Sequence, residues 1–100
     1  MIYLRIEDYK SDIELMPFTP FWDLVKYSQK KGTFENFWGI ASYEGMEYTN
    51  DDVALVLDDL QRLLDIAIKD KDREQVGPIM HIIERITQAD PDEEPAELIE

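Results

Sequence analysis

Residues 49–69 read TNDDVALVLDDLQRLLDIAIK, and every other reading of the chain is arranged around this stretch. Val53, Val56, Leu57, Leu60, Leu63, Leu64, Ala67 and Ile68 recur at intervals of three, four and seven, the spacing of one broad apolar helix face. Thr49 or Asn50 supplies the N-cap oxygen, and Asp51 and Asp52 occupy the first turn, where carboxylates are stabilised by the helix dipole. A helix over residues 51–69 is roughly 28 Å long at ~1.5 Å per residue. An apolar face of that length needs other elements against it, which makes this helix the organiser of the fold.

The opposite face carries Asp51, Asp58 and Asp65 every seven residues, ~10.5 Å apart, with Asp52 and Asp59 flanking the line. Leu55 and Ile66 fall near this outer face rather than with the core residues. The row is either the solvated side of an acidic helix or a set of carboxylates presented to Lys and Arg of a partner. Arg62 and Lys69 stand four residues after Asp58 and Asp65, a spacing that allows pairing within the helix.

Working outward, Ile2, Leu4 and Ile6 alternate with Tyr3, Arg5 and Glu7, the period of a half-buried strand. A lone strand leaves backbone groups unpaired, and Ile13 with Leu15 or the segment 37–48 supplies its partner. A helix follows, with Thr19 as N-cap, Pro20 at its first position, Asp23 toward the positive end of the dipole and Gly32 just past Lys30 and Lys31. Phe21, Leu24, Val25 and Ser28 mark its inner face. Residues 34–48 admit two readings. Phe34, Phe37, Trp38 and Ala41 make a helical stripe capped by Thr33, whereas aromatic content and two glycines, Gly39 and Gly45, favour strands in at least the second half. A further helix spans residues 72–88 with Val76, Ile79, Ile82, Ile83 and Ile86 inward, and Gly77–Pro78 is expected to kink or restart it. The whole reads as one α+β domain over residues 1–89, mostly helical, three or more helices on a small N-terminal strand or hairpin. Residues 90–100, with Asp90, Asp92, Glu93, Glu94, Pro91 and Pro95, read as a solvated acidic tail expected to be disordered.

Charge sets the class of partner. Ten Lys and Arg against 23 Asp and Glu leave −13 on 100 residues. Residues 1–50 hold five basic and eight acidic side chains, and residues 51–100 hold five and fifteen. Solubility asks for a magnitude of only about 2–8 on a small domain. The excess costs stability by self-repulsion and speeds encounter with a basic partner. Nucleic acid and anionic lipid are repelled, so direct binding to either is not expected. The absence of cysteine removes disulfides and thiolate chemistry. No apolar run approaches 18 residues and no signal-peptide pattern opens the chain, so the expected location is cytoplasmic.

Catalytic and metal patterns do not assemble. Asp70, Asp72 and Glu74 begin like a calcium loop, but Gln75 stands in place of the turn glycine and His81 in place of the bidentate glutamate. His81 is the single histidine, read as a surface residue beside Glu84 and Arg85, and no serine pattern makes it a triad base. No phosphate-cradling glycine motif occurs. The expectation is no enzyme, no metal and no cofactor. Eleven aromatic residues all fall in the first half. Most belong to a core, and Trp22, Tyr43 and Tyr48 are the candidates for an exposed interaction surface, because Trp and Tyr dominate interface hot spots.

Met16-Pro17-Phe18-Thr19-Pro20-Phe21-Trp22-Asp23, running into a helix with Tyr27, resembles the proline and aromatic–Trp–Asp lead-in of some bacterial immunity proteins. These are inhibitors of nuclease toxins such as those of contact-dependent growth inhibition. The resemblance implies a protein that sits over or beside the basic nucleic-acid cleft of a toxin domain and does no chemistry of its own. Partner-binding residues are then expected among Asp51, Asp52, Leu55, Asp58, Asp59, Asp65 and Ile66, or among Trp22, Tyr43 and Tyr48. The alternatives are a phage-type nucleic-acid mimic that blocks a restriction or CRISPR effector, and a non-inhibitory adaptor subunit.

Overall fold

The computed structural model describes residues 1–42 and 46–92. In chain order the elements are β1 (Ile2–Ile6), β2 (Ile13–Met16), α1 (Phe18–Lys31), α2 (Glu35–Ser42), β3 (Glu47–Tyr48), α3 (Asn50–Lys69) and α4 (Arg73–Thr87). This is an α+β fold in which helices cover one face of a three-stranded sheet of order β2-β1-β3. β1 runs antiparallel to β2 and parallel to β3. Ile2, Leu4 and Ile6 are buried while Tyr3 and Arg5 face out, as the alternation requires. Ile13 and Leu15 form the hairpin arm. Between Ile2↔Met16 and Tyr3↔Glu14 the register slips by one residue. The bulge lets both Leu15 and Met16 point inward and breaks the alternation of β2.

α4 lies against the outer edge of that hairpin. His81 Nε2 is 2.9 Å from the Leu15 carbonyl, and Arg85 Nε donates to the Glu14 carbonyl at 2.7 Å. A carbonyl only accepts, so Nε2 carries the proton in this contact. One turn of helix thus covers the open edge of β2 with donors. His81 is exposed, as expected, but it also tethers two elements. α4 is one helix through Gly77–Pro78 rather than two. Proline pushes a preceding residue out of the helical region through a clash that involves that residue's Cβ, and glycine has none.

α1 begins at Phe18, two residues earlier than the Thr19 cap implied. The first helical bond is Phe21 N–H to the Pro17 carbonyl at 3.2 Å, and Pro17 itself is extended. Pro20 therefore sits at the third helical position, where a missing N–H still costs nothing because the first four have no helical acceptor, and Asp23 lies outside the first turn. The inner face is Phe21, Leu24, Val25 and Ser28, as read from the sequence. Gly32 ends the helix at φ 156°, ψ −156°, a conformation essentially restricted to glycine.

Of the two strands that the alternative reading places at residues 37–42 and 46–49, the first is overturned, since Glu35–Ser42 is helical, and the second is present as Glu47–Tyr48. The helical reading wins because α2 obtains its N-terminal acceptor from another element. The Asn36 and Phe37 N–H groups donate to Asp59 Oδ2 at 2.9 and 3.2 Å. These are the donors that an N-cap side chain would satisfy, but the residue at that position is Phe34. Asp59 is 4 % exposed, so it belongs to the interior and not to the outer row of α3. Arg62 donates to Asp59 Oδ1 at 2.8 Å and to the Thr33 carbonyl at 3.2 Å, and its guanidinium lies 4.7 Å from the Phe34 ring centroid. Phe34 and Phe37 are thereby held in the core, where Phe37 meets Phe21 at 5.3 Å between centroids. Trp38 donates its indole N–H to Ser28 Oγ at 2.7 Å, and Ser28, fully buried, donates to the Val25 carbonyl.

α3 presents Val56, Leu60, Leu63 and Ala67 to the core, with Val53, Leu57 and Leu64 half-buried beside them. Ile68, expected on that face, is 58 % exposed instead, although Ala67 in the same turn is fully buried. The helix ends with Asp72 N–H bonded to the Ala67 carbonyl and Lys71 N–H to the Ile68 carbonyl. That pair of bonds is the Schellman motif, and Lys71 holds its left-handed position at φ 61°, where glycine is usual.

Two stability outcomes are expected. Asp59→Ala removes the acceptor of two backbone donors and the partner of Arg62, so urea denaturation should show a loss of about 2–4 kcal/mol. Asp58→Ala, one position away and exposed, should change stability by less than ~0.5 kcal/mol; equal losses for the two would disprove the capping role. Lys71→Gly should raise the denaturation midpoint, by about 1 kcal/mol in stability, because it relieves the left-handed penalty.

Candidate protein-interaction surface

Two surfaces gather the sequence-derived site residues. The first is the outer face of α3. Thr49 closes a capping box, donating its backbone N–H to Asp52 Oδ2 at 3.0 Å and accepting from the Asp52 N–H through Oγ1 at 3.1 Å. Asp52 is therefore engaged as a cap, and Asp59 is buried beneath α2. Burial withdraws Asp59 from the outer row, while Asp52 keeps partial exposure at its edge. Asp51, Asp58 and Asp65 are exposed, Leu55 between them is 49 % exposed, and Asp65 accepts from Gln61 Nε2 at 3.1 Å. Arg62 pairs with Asp59 rather than with Asp58. Among the described residues, Asp51 and Asp58 take part in no ion pair. Ile66 is half-buried and packs on the core, so of the two apolar residues expected on this face only Leu55 is exposed.

The second surface is a cleft of about 320 Å³ between the sheet and the start of α1. Trp22 lines it and is 44 % exposed, in agreement with the sequence reading. Tyr48 contradicts that reading. It is 7 % exposed, because parallel pairing of β3 with β1 sets Ile6 opposite Tyr48 and turns its ring inward to form the cleft floor. Tyr43 lies outside the described residues. The remaining exposed lining is Tyr3, Phe18 and Met46, none of which the sequence reading selected. A signal for Tyr3 was present, since it alternates with three inward residues of β1. Phe18 opens α1 and Met46 precedes β3, positions without a period to betray them. Arg5 and Asp12 close the polar side through a bidentate pair at 3.0 and 3.2 Å, and this pairing raises the Arg5 pKa.

A third cluster joins the end of α1 to the turn between α3 and α4. Tyr27 donates its hydroxyl to Asp72 Oδ2 at 2.6 Å, while Lys31 bridges Asp70 at 2.9 Å and Asp72 at 3.2 Å. Burial, together with the bond to the Asp72 carboxylate, pushes the Tyr27 pKa up to about 12. The Tyr27 and Lys31 donors hold Asp72 below its ordinary value, and Lys31 is raised by its two carboxylates. Asp70 and Asp72 are thus spent on tertiary contacts where a calcium loop would have used them as ligands. Among the described residues no group of three or more His, Asp or Glu side chains is disposed to hold a metal, and no helix is long and apolar enough to cross a membrane.

No protein-family model, curated protein or solved structure matches this chain.

The third cluster predicts the pH limits of stability. Tyr27 is raised in the fold, so its contribution is full below pH ~10 and is lost as pH rises through ~12. Asp72 is depressed, so its contribution is full above pH ~4 and is lost as pH falls further. Tyr27→Phe should flatten the alkaline decline in denaturation experiments. Ultraviolet titration should show late tyrosine ionisation that is missing from that variant. Identical high-pH titration of the chain and the variant, apart from the loss of one group near pH ~10, would refute the Tyr27–Asp72 bond.

Proposed function

We propose that this chain is an acidic, protein-binding inhibitor that neutralises a basic partner, most concretely an immunity-type protein that occludes the nucleic-acid cleft of a bacterial nuclease toxin in the cytoplasm. The observation that carries the reading is the outward row Asp51, Asp58 and Asp65 around the exposed Leu55, on a chain of net charge −13. Carboxylates on a rigid helix around an exposed apolar anchor suit a surface rich in Lys and Arg, with the charges steering encounter and the anchor adding contact. The lead-in Met16 to Asp23 supports the immunity-protein form of the reading by its resemblance to that family. The proposed action is steric and electrostatic, with no catalysis and no cofactor.

A nucleic-acid mimic is less well supported. Asp52 and Asp59 are turned to internal tasks, and the outer face of α3 lacks the continuous double row of charge that a phosphate backbone presents.

The test begins with capture from the native cell lysate using the tagged chain, identification of the bound protein, and stopped-flow association with it. The expected partner is a basic nuclease domain whose activity falls stoichiometrically as the chain is added, with an association rate that drops steeply with salt. Reversing Asp51, Asp58 and Asp65 to Lys should slow association by about tenfold or more at low salt while helical content is kept. A neutral or acidic partner, or association indifferent to salt and to the triple reversal, would sink the reading.

A further inference from the structure

We infer that the cleft between the sheet and α1 is a receptor for a cationic side chain of a protein partner, arginine above lysine. This inference deepens the proposed function and rests on its basic partner. Tyr3, Phe18, Trp22 and Met46 surround the cleft and are 54, 53, 44 and 48 % exposed. Four large apolar side chains exposed around one concavity are unusual for a surface with nothing to bind. The space of about 320 Å³ is at the small end of ligand pockets, suited to a side chain rather than to an extended cofactor. Trp22 is braced edge-on against the buried Phe21 at 6.4 Å and 87° between rings. Its exposed ring is therefore held in place before anything binds.

The polar side of the cleft selects the charge of the occupant. Arg5 is already gripped by both oxygens of Asp12, and Glu47 sits opposite it in the β1–β3 register. Two carboxylates beside one guanidinium leave local negative charge, and the nearest positive group has its donors directed at Asp12. A second copy of this chain brings another −13 and is repelled, as is an anionic lipid surface. A side chain with an apolar stem and a planar cationic head satisfies both halves of the cleft. The methylenes and guanidinium face of arginine stack on Trp22, Tyr3 and Phe18, and its N–H fork meets the Asp12 side of the cleft, with Glu47 adding negative charge from beside Arg5.

The probes are three blocked peptides, identical except that a central arginine flanked by leucines is replaced by citrulline, its uncharged analogue, or by glutamate. They are titrated into the isotopically labelled full chain and followed by amide and indole NMR signals. The arginine peptide is expected to shift Tyr3, Met46 and the Trp22 indole saturably. Citrulline should bind about tenfold more weakly, and glutamate should not saturate. Trp22→Ala should weaken the arginine peptide by about tenfold or more, whereas reversal of Asp58 and Asp65 to Lys should leave the shift pattern at the cleft in place. Equal binding of the citrulline peptide would overturn the cationic assignment, and tighter binding of the glutamate peptide would make the cleft an anion site at Arg5. Absence of saturable shifts with all three would remove the cleft as a receptor. That failure is separable from failure of the proposed function: a basic nuclease captured with salt-dependent kinetics upholds the function even if the cleft stays empty. An arginine peptide seated at Trp22 upholds the cleft even if the captured partner is not a nuclease.

Discussion

The carboxylate of Asp59 is the point on which the packing of this fold depends. α2 has eight residues, far below the length at which a helix holds itself in water, and the residue before it is Phe34, which has no oxygen to offer the free N–H groups. α3 supplies the acceptor from its own buried side. One oxygen takes the Asn36 and Phe37 N–H groups while the other takes Arg62, which also reaches the Thr33 carbonyl and covers the Phe34 ring. A buried carboxylate is tolerable only with such a full set of donors. The consequence reaches beyond α2, since Phe37, once fixed, packs on Phe21 and ties α1 to the same core.

The acidic excess divides into two populations with different work. Asp12, Asp52, Asp59, Asp70 and Asp72 accept from Arg5, Thr49, the start of α2 with Arg62, Lys31 and Tyr27. Arg85 is turned onto the β2 backbone. Several of the chain's scarce cations are therefore used to join elements, which offsets part of the self-repulsion expected of so acidic a domain. The same pairing leaves Asp51 and Asp58 on the outside without a compensating cation, so the field of the outer α3 face is stronger than an even distribution would make it. Structural use of the basic residues and the acidity of the candidate interaction surface are two sides of one arrangement.

The sheet shows a related economy. Three short strands cannot protect their own edges, and β2 is covered by donors from α4 rather than by another strand. Beside the bulge that turns Met16 inward, the Leu15 carbonyl accepts from His81. On the other side β3 is only two residues long, too short to template a further strand. The outer face of this small sheet, with Tyr3 and Arg5, then becomes one wall of the cleft whose opposite wall is Phe18 and Trp22.

Local sequence determined the elements whose signals repeat or cap. The length of α3, its capping box at Thr49, the inner face of α1, the alternation of β1 and the inward isoleucines Ile79, Ile82 and Ile86 of α4 all follow from side chains a few residues apart. Exposure of Asp51, Leu55, Asp58 and Asp65 was legible for the same reason, whereas Trp22 was chosen by residue type, a criterion that failed for the buried Tyr48. Tertiary structure decided the rest. Asp58 and Asp59 differ by only about 100° around the helix, and which of them faces water depends on where α2 begins, 22 residues away from Asp59 at Phe37. The helix-or-strand ambiguity of residues 34–42 was resolved by that same distant carboxylate. Tyr48 turned inward because a two-residue strand takes its orientation from the neighbour it pairs with, and the cleft exists only where β1, β3, α1 and α2 meet. Periodicity reports what a residue's own element requires; it carries no record of which donors and surfaces another element brings to it.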